Sequence, residues 1–463
     1  MIKYLFIITL FLYVLTEIFP SMQLSYVLSI LCMVIIVSAL FYVKRFVKIL
    51  GIVFLLIGAL MLFTSGASWK TYIISFGPML NLLTLFSIIP ILAIPIQIGN
   101  YAGGIQELVN RKLKNSGHLY MLTSGISYFL SIFMNLATLP MTYHSMKPAL
   151  QVFSLQSTGR FMSRAITRGF AMPLLWAPVT PIVGIVIEMT GVSWSTMLPY
   201  LLPLSIAGLL LDWFLAGRAA SKLGSEKLAG SASANEIATT IEVSGKPLQS
   251  PKRIGQILVA ILIFNICIAI FDYVFHLSFL ILVALLVIPF AFCWSLLLKK
   301  GREFLTGLQV HTNTYLYKMK DQFFIFLSAG FFISAMQYSG TDHRLNEMFV
   351  VFKGLVGIEV FLLMIPVIPL ILAFTGLHPA VALALLAETL DPTQLGISPQ
   401  ILTVSMLGGA VSAFLMGPYN ATIGLMSGII NESPFKISNW NAPFTVLYLL
   451  LVMVYLIILN LFI

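Results

Sequence analysis

The chain has 463 residues, 59% of them hydrophobic and only 9% charged, and its mean hydropathy is +1.00. That composition excludes a soluble globular protein of this length, which needs far more polar surface. The formal net charge of +10 would suggest a nucleic-acid partner in a soluble domain, but the loops that carry it give a better account, and no nucleic acid is expected.

Apolar runs of roughly 17 to 23 residues recur along the chain, each long enough to cross a hydrocarbon core of about 30 Å as a helix. Alternating segments of about ten residues, the pattern of a membrane barrel, do not occur. The expected fold is an all-α polytopic membrane protein with the lipid bilayer as its solvent. The first 21 residues, MIKYLFIITLFLYVLTEIFPS, carry one basic residue and no small-x-small cleavage pattern, so they read as a retained first span.

The predicted spans of the first half, 1–217, are Tyr4–Phe19, Leu24–Val43, Ile49–Phe63 and Pro78–Gly99. Two short runs follow, Leu119–Met134 and Met141–Phe153, joined by NLATLP at 135–140; together they predict an inner hairpin over 119–155. A broken helix over 169–190 and the span Met197–Ala216 close this half. Residues 218–253 are rich in Gly, Ser, Ala, Lys and Glu without apolar periodicity, and read as a cytoplasmic linker. The second half, 254–463, begins with Ile254–Phe271, Leu277–Leu298 and Gln322–Tyr338. An outer hairpin is predicted over 354–390 around TGLHP, then a broken helix over 401–430 interrupted by MGPYNAT, then Ala442–Leu461. The total is about eleven spans plus two re-entrant hairpins.

With the N-terminus in the cytoplasm, 23 of the 26 Lys and Arg fall on the inner side, leaving Lys70, Arg344 and Lys353 outside. The positive-inside rule therefore orients the chain in the cytoplasmic membrane, N-terminus in and C-terminus out. The halves also match at an offset of 240 residues: Gly169 with Gly409, Leu175 with Leu415, Pro178 with Pro418, and Gly184 with Gly424. The closing spans are expected to align Pro199 with Pro443 after a four-residue insertion. Because the hairpins enter from opposite sides in this topology, the repeat is expected to be inverted, as in many secondary transporters.

Backbone that leaves the helix inside a bilayer must line a cavity or be buried in protein. Four such breaks are readable, marked by Pro140, Pro178, Pro181, Pro379, Gly417 and Pro418. Their polar groups, Asn135, Thr138, Thr142, Thr180, Thr375, His378, Asn420 and Thr422, together with the turn at Gly376, are the candidate binding residues for substrate and ion. Hydroxyls, amides and freed carbonyls suit Na⁺, and half-helix N-termini suit an anion. For each break the simpler account is a proline kink patched by a neighbouring hydroxyl. His378 titrates near neutral pH and could couple protons, or it could cap the arm that follows. His144 is a weaker candidate of the same kind. Asp212, Glu188 and Glu359 read as interfacial acids, Asp212 near enough to the interface to snorkel or pair. The isolated Cys32, Cys267 and Cys293 read as apolar packers.

In its hairpins, its broken helices and the segments GLHPAVALALL (376–386) and GPYNATIGLMSGIINESPF (417–435), the chain resembles the ion transporter superfamily. The resemblance covers nearly the whole chain and is nearest in architecture to the divalent anion/sodium symporters, with arsenite and sodium/proton antiporter relatives. It implies Na⁺ and carboxylate binding at Ser-Asn-Thr hairpin tips, and a hairpin domain that moves against a homodimer scaffold. Here the tips read Asn135-Leu136-Ala137-Thr138 and Thr375-Gly376-Leu377-His378. The expected function is secondary active transport of a small anionic solute, an organic anion or oxyanion, coupled to Na⁺ or H⁺ and without a cofactor. A Na⁺/H⁺ antiporter with no organic substrate is the alternative. An integral-membrane enzyme is disfavoured by histidines without HxxxH or HExxH spacing.

Overall fold

The computed structural model describes residues 2–99, 116–150, 157–222, 252–275 and 277–462. Most of the predicted linker, the end of the inner hairpin at 151–155 and the basic residues 111–114 lie outside these. Every regular element among the described residues is helical.

The first half opens with α1 (Ile2–Ile18), α2 (Met22–Leu40), α3 (Arg45–Thr64) and the short α4 (Trp69–Ile74). A span interrupted by a 3₁₀ turn at Ile89–Leu92 follows, as α5 (Leu80–Ile88) and α6 (Ala93–Ile98). The inner hairpin is α7 (Ser116–Met134), a 3₁₀ turn at Asn135–Ala137, and α8 (Thr138–Leu150). Then come α9 (Thr158–Ala171), a 3₁₀ turn at Met172–Leu175, α10 (Pro181–Thr190) and α11 (Trp194–Lys222). The second half holds α12 (Lys252–Phe275), α13 (Phe279–Leu297), α14 (Gly301–Val310), α15 (Lys320–Tyr338) and α16 (Thr341–Val356). Its hairpin is α17 (Ile358–Met364), a 3₁₀ turn at Ile365–Val367, α18 (Ile368–Phe374) and α19 (Pro379–Thr389). The chain closes with α20 (Pro399–Met416), α21 (Ala421–Ile430) and α22 (Pro434–Phe462).

Among the described residues, nine helices are long and apolar enough to cross a membrane, so the chain is a multi-pass membrane protein. One of the nine, Ser116–Pro148, is the inner hairpin, because α7 and α8 pack on each other across the turn where Asn135 takes a φ of 47°. α18 and α19 pack together likewise, across a turn where Gly376 takes a φ of 91°. The second returning arm has 11 residues, about 16 Å of helix and too short to cross, and the first is described over the 13 residues Thr138–Leu150.

Three details differ from the sequence expectation. The first broken helix starts at Thr158 rather than Gly169, so Arg168, assigned to an inner loop, is a buried helical residue. The outer hairpin starts at Ile358, because 354–356 finish α16, which bends 77° from α15. The four-residue insertion is unnecessary: α11 and α22 both have 29 residues, start 240 residues apart, and align Pro203 with Pro443. The same offset relates α10 to α21, which both end in a left-handed cap, Gly191 at φ 69° and Asn431 at φ 54°.

Close helix contact explains one matched glycine pair. A Cβ on Gly169 would collide with the Ser124 carbonyl of α7, and a Cβ on Gly409 with the Pro366 carbonyl between α17 and α18. In each half, glycine lets the broken helix lie directly on the first arm of its own hairpin. The core is centred on α20, in which every residue from Ile401 to Leu415 is buried. Around it lie α9, α10, α18, α19 and α22, while α1, α2, α3 and α15 pack mainly on one another, with α15 also touching α5 and α19.

Candidate functional site

The second break is closed by side chains. Pro418 cannot donate to the Phe414 carbonyl one turn back, and Asn420 does so instead. Its Nδ2 reaches the carbonyls of Ala413 (2.9 Å) and Phe414 (3.1 Å), and its Oδ1 accepts the Ile423 N–H at 2.8 Å as N-cap of α21. Asn441 Nδ2 donates to the Leu415 carbonyl at 3.1 Å, and Ser438 to that of Met416. The first break is sealed as firmly: residues 176–181 are all buried, and Trp194 Nε1 donates to the Trp176 carbonyl at 2.8 Å. Asn420 and these carbonyls are therefore engaged in closing the break.

At the outer tip the polar groups are also engaged. Thr375 Oγ1 donates to the Leu372 carbonyl at 2.7 Å. His378 Nδ1 accepts the Ala380 N–H at 3.2 Å as N-cap of α19, and its ring lies edge-on to Phe86 and Phe326. A ring nitrogen used as acceptor fixes the neutral tautomer, so capping is the role the geometry gives this residue.

The inner hairpin differs. Thr138 and Thr142, one turn apart on α8, are fully buried and their hydroxyls have no hydrogen-bond partner; the same is true of Thr422 in the first turn of α21. Five other buried threonines, Thr84, Thr123, Thr167, Thr190 and Thr403, bond back to a carbonyl four residues earlier at 2.7 Å, while Thr9 in α1 is a further buried threonine without a partner. An unpaired buried hydroxyl costs about 1–3 kcal/mol, so three on packed elements need an explanation. α8 packs on α21, and α9 packs on both and adds Ser163, another buried hydroxyl without a partner.

Six of the nine candidate binding residues stand on two pairs of packed helices, and Asn135, Thr375 and Gly376 form the two hairpin turns. Thr138 and Thr142, with Pro140, stand on α8, which packs on α21, the helix that follows Gly417 and Pro418, is capped by Asn420 and holds Thr422. His378, behind Pro379, shares the contact of α19 with α10, which starts at Thr180 and Pro181. Each half-helix therefore packs on the returning arm of the other half's hairpin. Asn135 makes the left-handed turn that begins α8, as Gly376 does before α19.

Sequence reasoning missed the largest polar cluster. Arg168, 1% exposed, pairs with Asp212 at 3.1 Å and donates through Nε to Asn441 Oδ1 at 3.2 Å. Its guanidinium lies 4.7 Å from the Phe444 ring centroid. Asp212, fully buried, also accepts from Tyr120 (2.8 Å) and Ser124 (3.0 Å). The signal was present: Arg160, Ser163, Arg164, Thr167 and Arg168 recur at helical spacing, placing one polar stripe on an otherwise apolar helix. The predicted interfacial acid Glu188 accepts from Ser278 at 2.8 Å, and Glu359 is exposed.

No protein-family model and no curated protein sequence matches this chain. Among solved structures it is similar to the YdaH transporter of Alcanivorax borkumensis, whose crystal structure is described as having an unusual topology. The TM-score is 0.61 at 15% sequence identity, covering 88% of this chain and 97% of that one. The chain therefore shares its fold with a membrane transporter.

Proposed function

We propose that this chain is a secondary active transporter of a small anionic solute, an organic anion or oxyanion, driven by Na⁺ or H⁺. The observation that carries the reading is the set of unpartnered hydroxyls of Thr138, Thr142 and Thr422. They sit in the first two turns of α8 and α21, two half-helices that start within the protein and pack together. Helix N-termini present N–H groups and a positive dipole end, and hydroxyls donate readily to an anion. The carbonyls that would favour a cation as sole ligand are taken up by Asn420, Asn441 and Ser438.

Three further observations support transport. Helix bounds recur at an offset of 240 residues in the two halves. The distribution of basic residues supports hairpins on opposite sides with the N-terminus in the cytoplasm, and hence an inverted repeat. The fold is that of a known transporter. The resemblance to the ion transporter superfamily agrees with all three. A co-bound cation would neutralise the solute for passage through a low-dielectric barrier.

A thermal-shift screen of the purified protein tests the reading, using inorganic oxyanions and small carboxylates with and without Na⁺ at two pH values. The proposal expects at least one anion to raise the melting temperature, with Na⁺ or low pH increasing the effect. Stabilisation by Na⁺ or pH alone, with no anion effective, would favour the cation antiporter and overturn it.

A further inference from the structure

Phe46 stands in the first turn of α3, immediately after the basic Lys44-Arg45 pair. The Lys44 N–H donates to Asp321 Oδ1 at 3.3 Å, which ties this end of α3 to the start of α15. The Phe46 ring reaches to the outer hairpin, where it occupies the space that a Cβ on Gly376 would fill. It also stacks on Tyr419, in the second break, with centroids 5.5 Å apart and planes 10° apart. Tyr419 in turn meets the edge of Phe435 at 5.8 Å.

One side chain of α3 thus touches both moving parts expected of the second repeat, the hairpin tip and the helix break. The contact is made at the end of α3 that carries the basic loop. Phe46 is 45% exposed and Tyr419 55% exposed, so neither ring belongs to a sealed core. At the first break, by contrast, all of 176–181 is buried. The Phe46 ring, paired with Tyr419, adds to the contact of Phe326 with His378 a second aromatic link to this hairpin, and a glycine whose φ of 91° and missing Cβ admit the ring has the geometry of a seat.

We infer that Phe46 is a latch that holds the outer hairpin in the conformation seen here and must leave Gly376 and Tyr419 when the hairpin moves. The inference rests on the transporter reading, because it requires the hairpin to have a second position. The latch favours the state in which the hairpin tip faces the basic-loop side. Removing the ring shifts the population toward the opposite state by roughly two- to tenfold, the change expected from losing one aromatic pair.

The test uses the full chain with Cys32, Cys267 and Cys293 replaced by alanine and a single reporter, Thr375→Cys, at the exposed tip. A membrane-impermeant maleimide is added to right-side-out or to inverted vesicles, and the labelling rate is measured from each side. Phe46→Ala is expected to increase labelling from the side opposite the Lys44–Lys48 loop, and Phe46→Tyr to restore the parent rate. Tyr419→Ala, which removes the ring from the other partner, is expected to act in the same direction, so the test survives if one variant folds poorly. An unchanged opposite-side rate in both alanine variants overturns the latch, even if loop-side labelling rises, because that pattern means the ring only shields the tip. Failure of the anion reading would appear separately, as a thermal-shift screen in which no anion stabilises the parent protein.

Discussion

Arg168 and Asp212 form a fully buried ion pair at 3.1 Å that joins four helices: α9 through Arg168, α11 through Asp212, α7 through Tyr120 and Ser124, and α22 through Asn441. The pair is well surrounded by hydrogen bonds, so its two charges cost little while together and much when separated. Arg168→Met alone or Asp212→Leu alone is expected to lose about 3–5 kcal/mol, from the charge left behind. The double variant should lose clearly less than the two losses combined. Melting curves of the four proteins in detergent, read as a double-mutant cycle, check this; additive losses would mean the two residues act independently.

The unpartnered threonines predict an opposite sign. Thr142→Val and Thr422→Val each remove a buried hydroxyl that nothing in the protein satisfies, in a side chain of nearly the same shape. Each is expected to raise the stability of the solute-free protein by about 1 kcal/mol. Thr190→Val should lower it by a similar amount, because Thr190 bonds to the Val186 carbonyl and faces the Thr403 hydroxyl at 2.8 Å. Melting temperatures without ligand decide between these signs.

Asn420 holds the second break together. Asn420→Ala removes the N-cap of α21 and the donor to the Phe414 carbonyl, and is expected to cost about 1–3 kcal/mol. Asn420→Asp keeps the cap acceptor but sets a carboxylate against the carbonyls of Ala413 and Phe414. It should be at least as damaging, which a melting comparison of the two variants tests.

The matched glycines Gly184 and Gly424 predict a difference between the two halves. A Cβ at Gly184 would collide with the Leu280 side chain, whereas nothing lies within 4 Å of one at Gly424. Gly184→Ala is expected to destabilise by about 1–3 kcal/mol through overpacking. Gly424→Ala should be neutral or gain up to about 1 kcal/mol from helix propensity. Equal effects would place both glycines in the same environment.

Much of the fold was legible because a bilayer imposes few options: apolar runs of spanning length, breaks at Pro178 and Pro418, and a fixed offset between halves. The offset held further than the residue matches indicated. Its sign was Pro203 over Pro443, which was hidden by pairing Pro443 with the nearer Pro199. The site was less legible, because the residue types at a break do not say which ones repair it. Asn420, His378 and Thr375 all look like ligands in sequence, and each also makes a capping or back-bonding hydrogen bond. Thr138, Thr142 and Thr422 look the same and make no such bond, a distinction that depends on which carbonyl lies within reach. Arg168 was lost because a charged stretch reads as a loop until the Asp212 that neutralises it, 44 residues away, is known.

The central claim is that Thr138, Thr142 and Thr422 await an anion. Its most direct test compares the parent protein with Thr142→Val and Thr422→Val in the thermal-shift screen, using the oxyanion or carboxylate that stabilises the parent most. The account predicts that both variants fold, melt no lower than the parent without ligand, and lose most of the anion-induced rise in melting temperature. Full anion stabilisation retained in both variants would place the solute elsewhere and contradict it.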